Sequence, residues 1–205
     1  IPYHLTESET VLLFKNKGSP LNMKNFRPIA LLPCLYKLYS GSIHEVLQDY
    51  TEKHKILGGV QKGFRPSKHT GQQLLWLTGL LEDAKRSGRE IHVVYCDFLS
   101  AYNSLSHDKM PTIFRSIGIP EDMILALMTV VKGASTKVAT PGGHTANIPT
   151  CRGCAQGDKL SPKIFALFMV ALTRWLEAGD HGYEPGLNTA ASCQSIGAYA
   201  DDLAL

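Results

Sequence analysis

The sequence of 205 residues has little cysteine, and its five cysteines are scattered. An odd set without tight spacing makes no disulfide framework of the kind that holds small secreted chains together, and it implies reduced thiols inside a cell. Cys151 and Cys154 form one Cys-x-x-Cys, but no second pair stands near it, so a four-ligand zinc site is not specified. Long apolar runs are also lacking. The most apolar helix-like stretch, residues 164–172, falls well short of the ~20 residues a bilayer-spanning helix needs. Internal repeats and low-complexity tracts are absent. Neither sign of charge dominates: 21 Lys and Arg against 18 Asp and Glu leave a net +3, which permits a nucleic-acid partner without arguing for one. The chain opens on Ile-Pro-Tyr-His, with no Met and no basic-then-apolar leader, as expected of a sequence that begins inside a longer one.

What is present is an alternation of strand and helix signals. Residues 11–14 and 26–32 read as short strands around a basic loop at 15–20. Apolar residues at intervals of three and four predict a helix from Leu35 to about Leu57, stopped by Gly58-Gly59. A second helix is expected over residues 74–85 with Gly88 as its cap. Residues 91–98 (IHVVYCDF) are rich in β-branched and aromatic types and predict a mostly buried strand. Ser106 is placed to cap a helix reaching Ile117, and Pro120 to open one ending near Lys132. Short strands are expected around the Pro-Gly-Gly turn within 135–150. Ser161-Pro162 is a capping hydroxyl followed by a proline suited to a first turn. The apolar residues that follow, from Ile164 through Trp175 and Leu176, predict a helix buried on several sides. Residues 195–205 read as strand, tight turn, strand, with Asp201-Asp202 at the turn.

Two apolar strands therefore deliver acids to their ends, Asp97 in one and Asp201-Asp202 in the other. An acid at the end of a buried strand is costly without a cation or hydrogen bonds beside it, and adjacent carboxylates repel each other. A divalent metal removes the repulsion, and Mg²⁺ favours a few carboxylates together with water and substrate phosphate. Taken alone, Asp201-Asp202 also reads as an ordinary turn.

Five ordered blocks change that balance. Residues 25–32 (NFRPIALL), 61–66 (QKGFRP), 97–102 (DFLSAY), 153–165 (GCAQGDKLSPKIF) and 199–202 (YADD) together resemble the reverse transcriptase family, most closely its non-LTR retrotransposon branch, with group II intron enzymes as the nearest alternative. The resemblance spans roughly residues 11–205. It implies an α+β fold, the fingers and palm of a right-hand polymerase with an antiparallel palm sheet packed on helices, truncated before the thumb. Residues 1–90 are then expected to form the fingers with some palm helix, and 91–205 a palm incomplete at its C-terminus.

The resemblance also implies roles. Asp97 and Asp201 are the expected metal ligands, with Asp202 in support and the backbone carbonyl of Phe98 completing the shell around two Mg²⁺ ions, for which Mn²⁺ can substitute. Tyr102 corresponds to a sugar gate that excludes a ribose 2′-OH. Gln156 and Gly157 lie in the segment expected beside the incoming nucleotide. Arg27 matches the fingers arginine that grips a triphosphate, and Lys15, or Lys17 in its stead, a second cation there. Arg65 and Lys68 are expected template contacts, with solvated loop charges as the alternative. Asn103 departs from the acid many of these enzymes carry after the gate. The implied activity is RNA-templated DNA synthesis from deoxynucleoside triphosphates onto a primer 3′-OH, with an RNA template, a DNA primer and a downstream thumb of the same polyprotein as partners, no membrane, and a nuclear site. The competing readings are an RNA-templated RNA polymerase, a decayed or domesticated RNA-binding palm without turnover, and an intron-encoded maturase-type enzyme.

Overall fold

The computed structural model describes residues 3–179, 182–184 and 196–205. In chain order the elements are α1 (Tyr3–Thr6), β1 (Glu7–Phe14), β2 (Phe26–Leu31), α2 (Cys34–Lys53), α3 (Thr70–Ser87), β3 (Tyr95–Cys96), α4 (Ala101–Ser104), α5 (Met110–Ser116), α6 (Glu121–Val131), β4 (Ser135–Thr140), β5 (Gly143–His144), β6 (Ile148–Pro149), α7 (Ser161–Ala178), β7 (Gly197–Tyr199) and β8 (Asp202–Ala204). A short 3₁₀ turn, Met23–Asn25, precedes β2. The chain divides into two compact units, one of residues 1–50 and 102–164, the other of 51–101 and 165–205. Each is built from two separate stretches of sequence.

The first unit is organised on a mixed sheet in the order β2-β1-β4-β5, with β6 also paired to β4. β1 runs antiparallel to β2 and parallel to β4. One face of β1 presents Ser8 and Thr10, both buried. Their hydroxyls are satisfied by the neighbouring strand: Ser8 Oγ donates to the Ser135 carbonyl at 3.2 Å, and Thr10 and Thr136 share a 2.7 Å bond. Hydroxyl pairs let a strand bury polar side chains without the cost of orphaned groups. The apolar core of this unit gathers Met110, Phe114, Ile124, Leu127 and Leu160, all 2% exposed or less.

The second unit carries an antiparallel sheet in the order β3-β8-β7, with Leu57, Phe165, Leu167, Ala198 and Leu203 in its core. α3 lies against β7, where Gly197 leaves no room for a side chain. A Cβ there would sit 2.6 Å from the Trp76 ring.

Most expected elements are present, and four details differ. The expected strand over 91–98 shortens to Tyr95–Cys96, extended by paired backbone bonds between Val94 and Leu205 at 2.9 Å. It is an edge strand rather than a buried one, with Val94 56% and Tyr95 71% exposed, because β8 is its one partner among the described residues. Ser106 does not cap a helix. Its carbonyl accepts from both Lys109 and Met110 at 3.2 Å, and the chain makes a further turn before α5 begins. Ser161 is the first residue of α7 rather than its cap, and the Leu160 carbonyl accepts from Lys163 and Ile164 at 3.0 Å. Trp175, expected to share in the burial of that helix, is 72% exposed. It stands at the rim of an apolar cavity of about 840 Å³ lined by Trp76, Leu80, Val93 and Leu176.

Candidate active site

The three acids lie together in the second unit. β3 pairs with β8 through Tyr95↔Ala204 and Cys96↔Leu203, a register that continues to set Asp97 opposite Asp202. β7 and β8 form a hairpin closing on Tyr199↔Asp202, so Asp201 occupies the turn. Asp97 and Asp202 are exposed, and Asp201 is half-buried. The Asp202 carboxyl is held above the usual carboxylate range, first by loss of water around it and then by the negative charges of Asp201 and Asp97.

The turn itself is held by a residue that the sequence reading passed over. Ala200 has φ +57, a left-handed conformation that costs an L-residue strain. Gln61, 2% exposed, fixes it on both sides. Its Nε2 donates to the Ala200 carbonyl at 3.1 Å, and its Oε1 accepts from the Ala200 N–H at 2.9 Å and from the Gly63 N–H at 2.8 Å. Gly63 packs so tightly on Ala200 that a Cβ would lie 3.0 Å from its Cα and nearer still to its nitrogen. Gln73 adds Nε2 bonds of 2.7 Å to the carbonyls of Val60 and Ala198. Gln61 and Gly63 both stand in the QKGFRP block, but nothing local there points to a backbone partner 139 residues away.

Among the described residues no group of three or more His, Cys, Asp or Glu is placed to hold a metal ion by itself. Mg²⁺ does not need one, since one or two carboxylates with waters and substrate phosphate suffice. The donor set of carboxylates and a Phe98 carbonyl is hard oxygen throughout, and the repulsion on Asp202 is what a divalent cation relieves. In donor chemistry these residues suit the ion that the resemblance implies. Because the Asp202 value is raised, the folded metal-free chain holds a proton that the unfolded chain releases, so stability falls as pH rises through that group's range. Added Mg²⁺ is expected to raise Tm at neutral pH. The increment should vanish in acid, as pH falls through the raised range of the Asp202 carboxyl. Thermal melts across pH with and without Mg²⁺ measure it, and an increment independent of pH would contradict the fit.

The nucleotide-facing residues of the sequence reading lie in the first unit. Gln156 is tied to β2 by its carbonyl, which accepts from the Ala30 N–H at 2.8 Å. Gly157 follows with φ +128, and a Cβ there would lie 2.6 Å from the Ala30 carbonyl oxygen, so only glycine fits. Asp158 is buried and accepts from Ser40 Oγ at 2.7 Å, with the Tyr36 hydroxyl at 3.5 Å. Burial, and then the Asp158 charge, push the Cys154 thiol up to about 12, which keeps it protonated and inert. Tyr102 is half-buried, and its carbonyl accepts from the Cys154 N–H at 2.9 Å. Arg27 is exposed on β2 opposite Leu13. Lys15 is exposed too, its Nζ donating to the Lys24 carbonyl at 3.0 Å.

Of the two expected template contacts, Arg65 is put to another use. Its guanidinium grips both carboxylate oxygens of Glu52, at 2.9 and 2.6 Å, and donates to the carbonyls of Gly58 and Gln61 at 2.7 and 3.0 Å. That is a clamp on its own loop, and its side chain is 8% exposed. Lys68 is exposed. Lys62 joins it, its ammonium pKa lowered by burial and then by the charges of Lys68 and Arg65.

Residues 14–205 match the family described as reverse transcriptase (RNA-dependent DNA polymerase). The chain belongs to that family. Over its whole length this reverse transcriptase chain is 25% identical to the Pol polyprotein of the type-1 retrotransposable element R2 of Nasonia vitripennis, covering 19% of that protein. It is 24% identical, again over its whole length, to that of the type-2 element R2DM of Drosophila melanogaster, covering 18%. It is 22% identical over 95% of its length to the RNA-directed DNA polymerase from the mobile element jockey of Drosophila melanogaster, covering 20%. The chain thus spans about a fifth of the length of these non-LTR relatives. Among solved structures, telomerase from Candida tropicalis in complex with the TWJ fragment of telomeric RNA superimposes with a TM-score of 0.67 at 13% identity, over 98% of this chain and 36% of that one. The apo telomerase truncated from its C-terminal domain gives 0.60 at 13% identity, covering 98% of this chain and 43% of that one. The reverse transcriptase chain therefore has the mixed fold of helices and largely antiparallel sheets of a polymerase fingers and palm.

Proposed function

We propose that the protein extends a primer 3′-OH with deoxynucleotides copied from an RNA template. The observation that carries this reading is the register of β3 on β8, which sets Asp97 across from Asp202 beside the Asp201 turn, with the three charges felt together at Asp202. Asp97, Asp201 and the Phe98 carbonyl would hold two Mg²⁺ ions, and Asp202 would shape the field around them. Bound Mg²⁺ would supply charge for the attacking hydroxyl and the leaving oxygen. The chain's own groups do the rest. Arg27 and Lys15 bind the triphosphate, Gln156 and Gly157 offer backbone close to the base and sugar, and the Tyr102 ring fills the space a 2′-OH would take. Lys62 and Lys68 meet template phosphates, a contact that weakens with salt and carries no sequence information. In this reading residues 1–90 serve as fingers and 91–205 as palm, with a thumb supplied by the rest of the polyprotein and the work done in the nucleus.

The test is primer extension on an RNA template by the full-length polypeptide that carries this sequence, with Mg²⁺ and either deoxy- or ribonucleotides. Deoxynucleotide incorporation that stops on chelation is expected. Preference for ribonucleotides would make it an RNA polymerase, and RNA binding without incorporation by a folded protein would make it a palm retained for binding alone.

A further inference from the structure

In the first unit His107 is a buried side chain with no part in the functions above. It is 6% exposed, and its Nε2 lies 2.7 Å from the Gly153 carbonyl oxygen. A carbonyl only accepts, so Nε2 carries the proton and donates. The bond is one of several that stitch residues 102–107 to residues 152–154. The Gly153 N–H donates to the Leu105 carbonyl at 2.8 Å, and the Cys154 N–H to the Tyr102 carbonyl at 2.9 Å. Ser106 and Arg152 form an isolated antiparallel bridge. Gly153, at φ +82, lies so close to the gate segment that a Cβ would stand 2.7 Å from both the Tyr102 carbonyl oxygen and the Asn103 Cα. Three residues further on, Gln156 is tied to Ala30.

The bonds of Gly153 to Leu105 and of Cys154 to Tyr102 are backbone to backbone. His107 adds a side-chain bond, made to Gly153, the residue that packs directly on the Tyr102 carbonyl and Asn103. We infer that His107 is a positioning residue for sugar selection, fixing the Tyr102 backbone relative to the Gln156-Gly157 segment so that the space left for a 2′-OH is closed. A gate that must exclude one hydroxyl fails with a displacement of about 1 Å, and a single buried hydrogen bond is enough to hold or release such a displacement. The inference rests on the polymerase reading.

The experiment compares kcat/KM for a deoxynucleotide and its ribonucleotide in the full-length polypeptide. His107→Phe fills the same volume without a donor and is expected to lower the deoxy/ribo ratio roughly tenfold, chiefly by raising ribonucleotide use. His107→Gln, whose Nε2 reaches a similar place, is expected to restore most of the ratio. If His107 only held the fold together, both sugars would lose rate alike and the ratio would stay put, which would overturn the inference while leaving the polymerase reading intact. An unsubstituted polypeptide that incorporates nothing would overturn both. Where His107→Phe fails to melt cooperatively, Gly153→Ala presses on the Tyr102 carbonyl from the facing segment and carries the same test, with an unchanged ratio again the overturning result.

Discussion

Replacing Asp201 by Asn is expected to abolish nucleotide incorporation while leaving the chain folded. Asp201 sits in the β7–β8 turn, half-buried, where an amide of the same shape strains nothing. What disappears is the charge. In the proposed mechanism Asp201 would hold the cation that neutralises the reacting phosphate, and losing that hold would cost several kcal/mol of transition-state stabilisation; about 4 kcal/mol is close to a thousandfold in rate. The substitution also removes a charge that raises Asp202, so the pH-dependent Mg²⁺ increment in Tm should shrink along with the activity. Single-turnover extension and thermal melts on the same preparation separate the two effects. Substantial incorporation by Asp201→Asn would move the chemistry away from this hairpin.

Gln61→Ala is expected to cost both stability and turnover, although Gln61 touches no substrate. Its removal strands the Ala200 N–H and carbonyl and the Gly63 N–H in a buried pocket. Each buried group left unpaired costs about 1–3 kcal/mol, and the left-handed Ala200 that they hold in place would relax toward an unstrained turn. Asp201 is the next residue, so relaxation moves the carboxylate proposed above to hold Mg²⁺. Chemical denaturation should show the lost stability. Under conditions where the variant remains folded, kcat should still fall more than about tenfold, with KM for the nucleotide less affected. A stable Gln61→Ala with full kcat would show that the turn keeps its shape unaided.

How much of this could be read from the sequence follows from the range of the forces involved. The helices α2, α3 and α6 were legible because their apolar spacing and their stop signals are local. Gly88 closes α3 in the left-handed conformation that its position predicted, and Pro120 precedes α6. The hairpin at Asp201-Asp202 was legible for the same reason. Burial was less so. Residues 91–98 have the composition of a core strand, yet composition does not say how many neighbours a strand will have, and β3 has one among the described residues. Arg65 was expected to contact the template backbone, or else to be a solvated loop charge, because of its place in the basic loop of the second block. Its guanidinium instead suits Glu52, and the Glu52 partnership depends on the fold. Gln61 and His107 escaped notice because their chemistry is directed at backbone groups 139 and 46 residues away, and no local pattern announces such a target.

The parallel pairing of β1 with β4 also bears on how the chain is made. Ser8 finds the Ser135 carbonyl 127 residues later, and β2, which covers the opposite edge of β1, is available almost at once. At about 5–20 residues per second of synthesis, the β1–β2 hairpin waits roughly 5 to 20 s on the ribosome with one edge open before β4 emerges. An uncovered strand edge is a template for pairing with other chains. The nascent protein is therefore most exposed to aggregation during that interval, and a chaperone that shields extended segments would have its largest effect there.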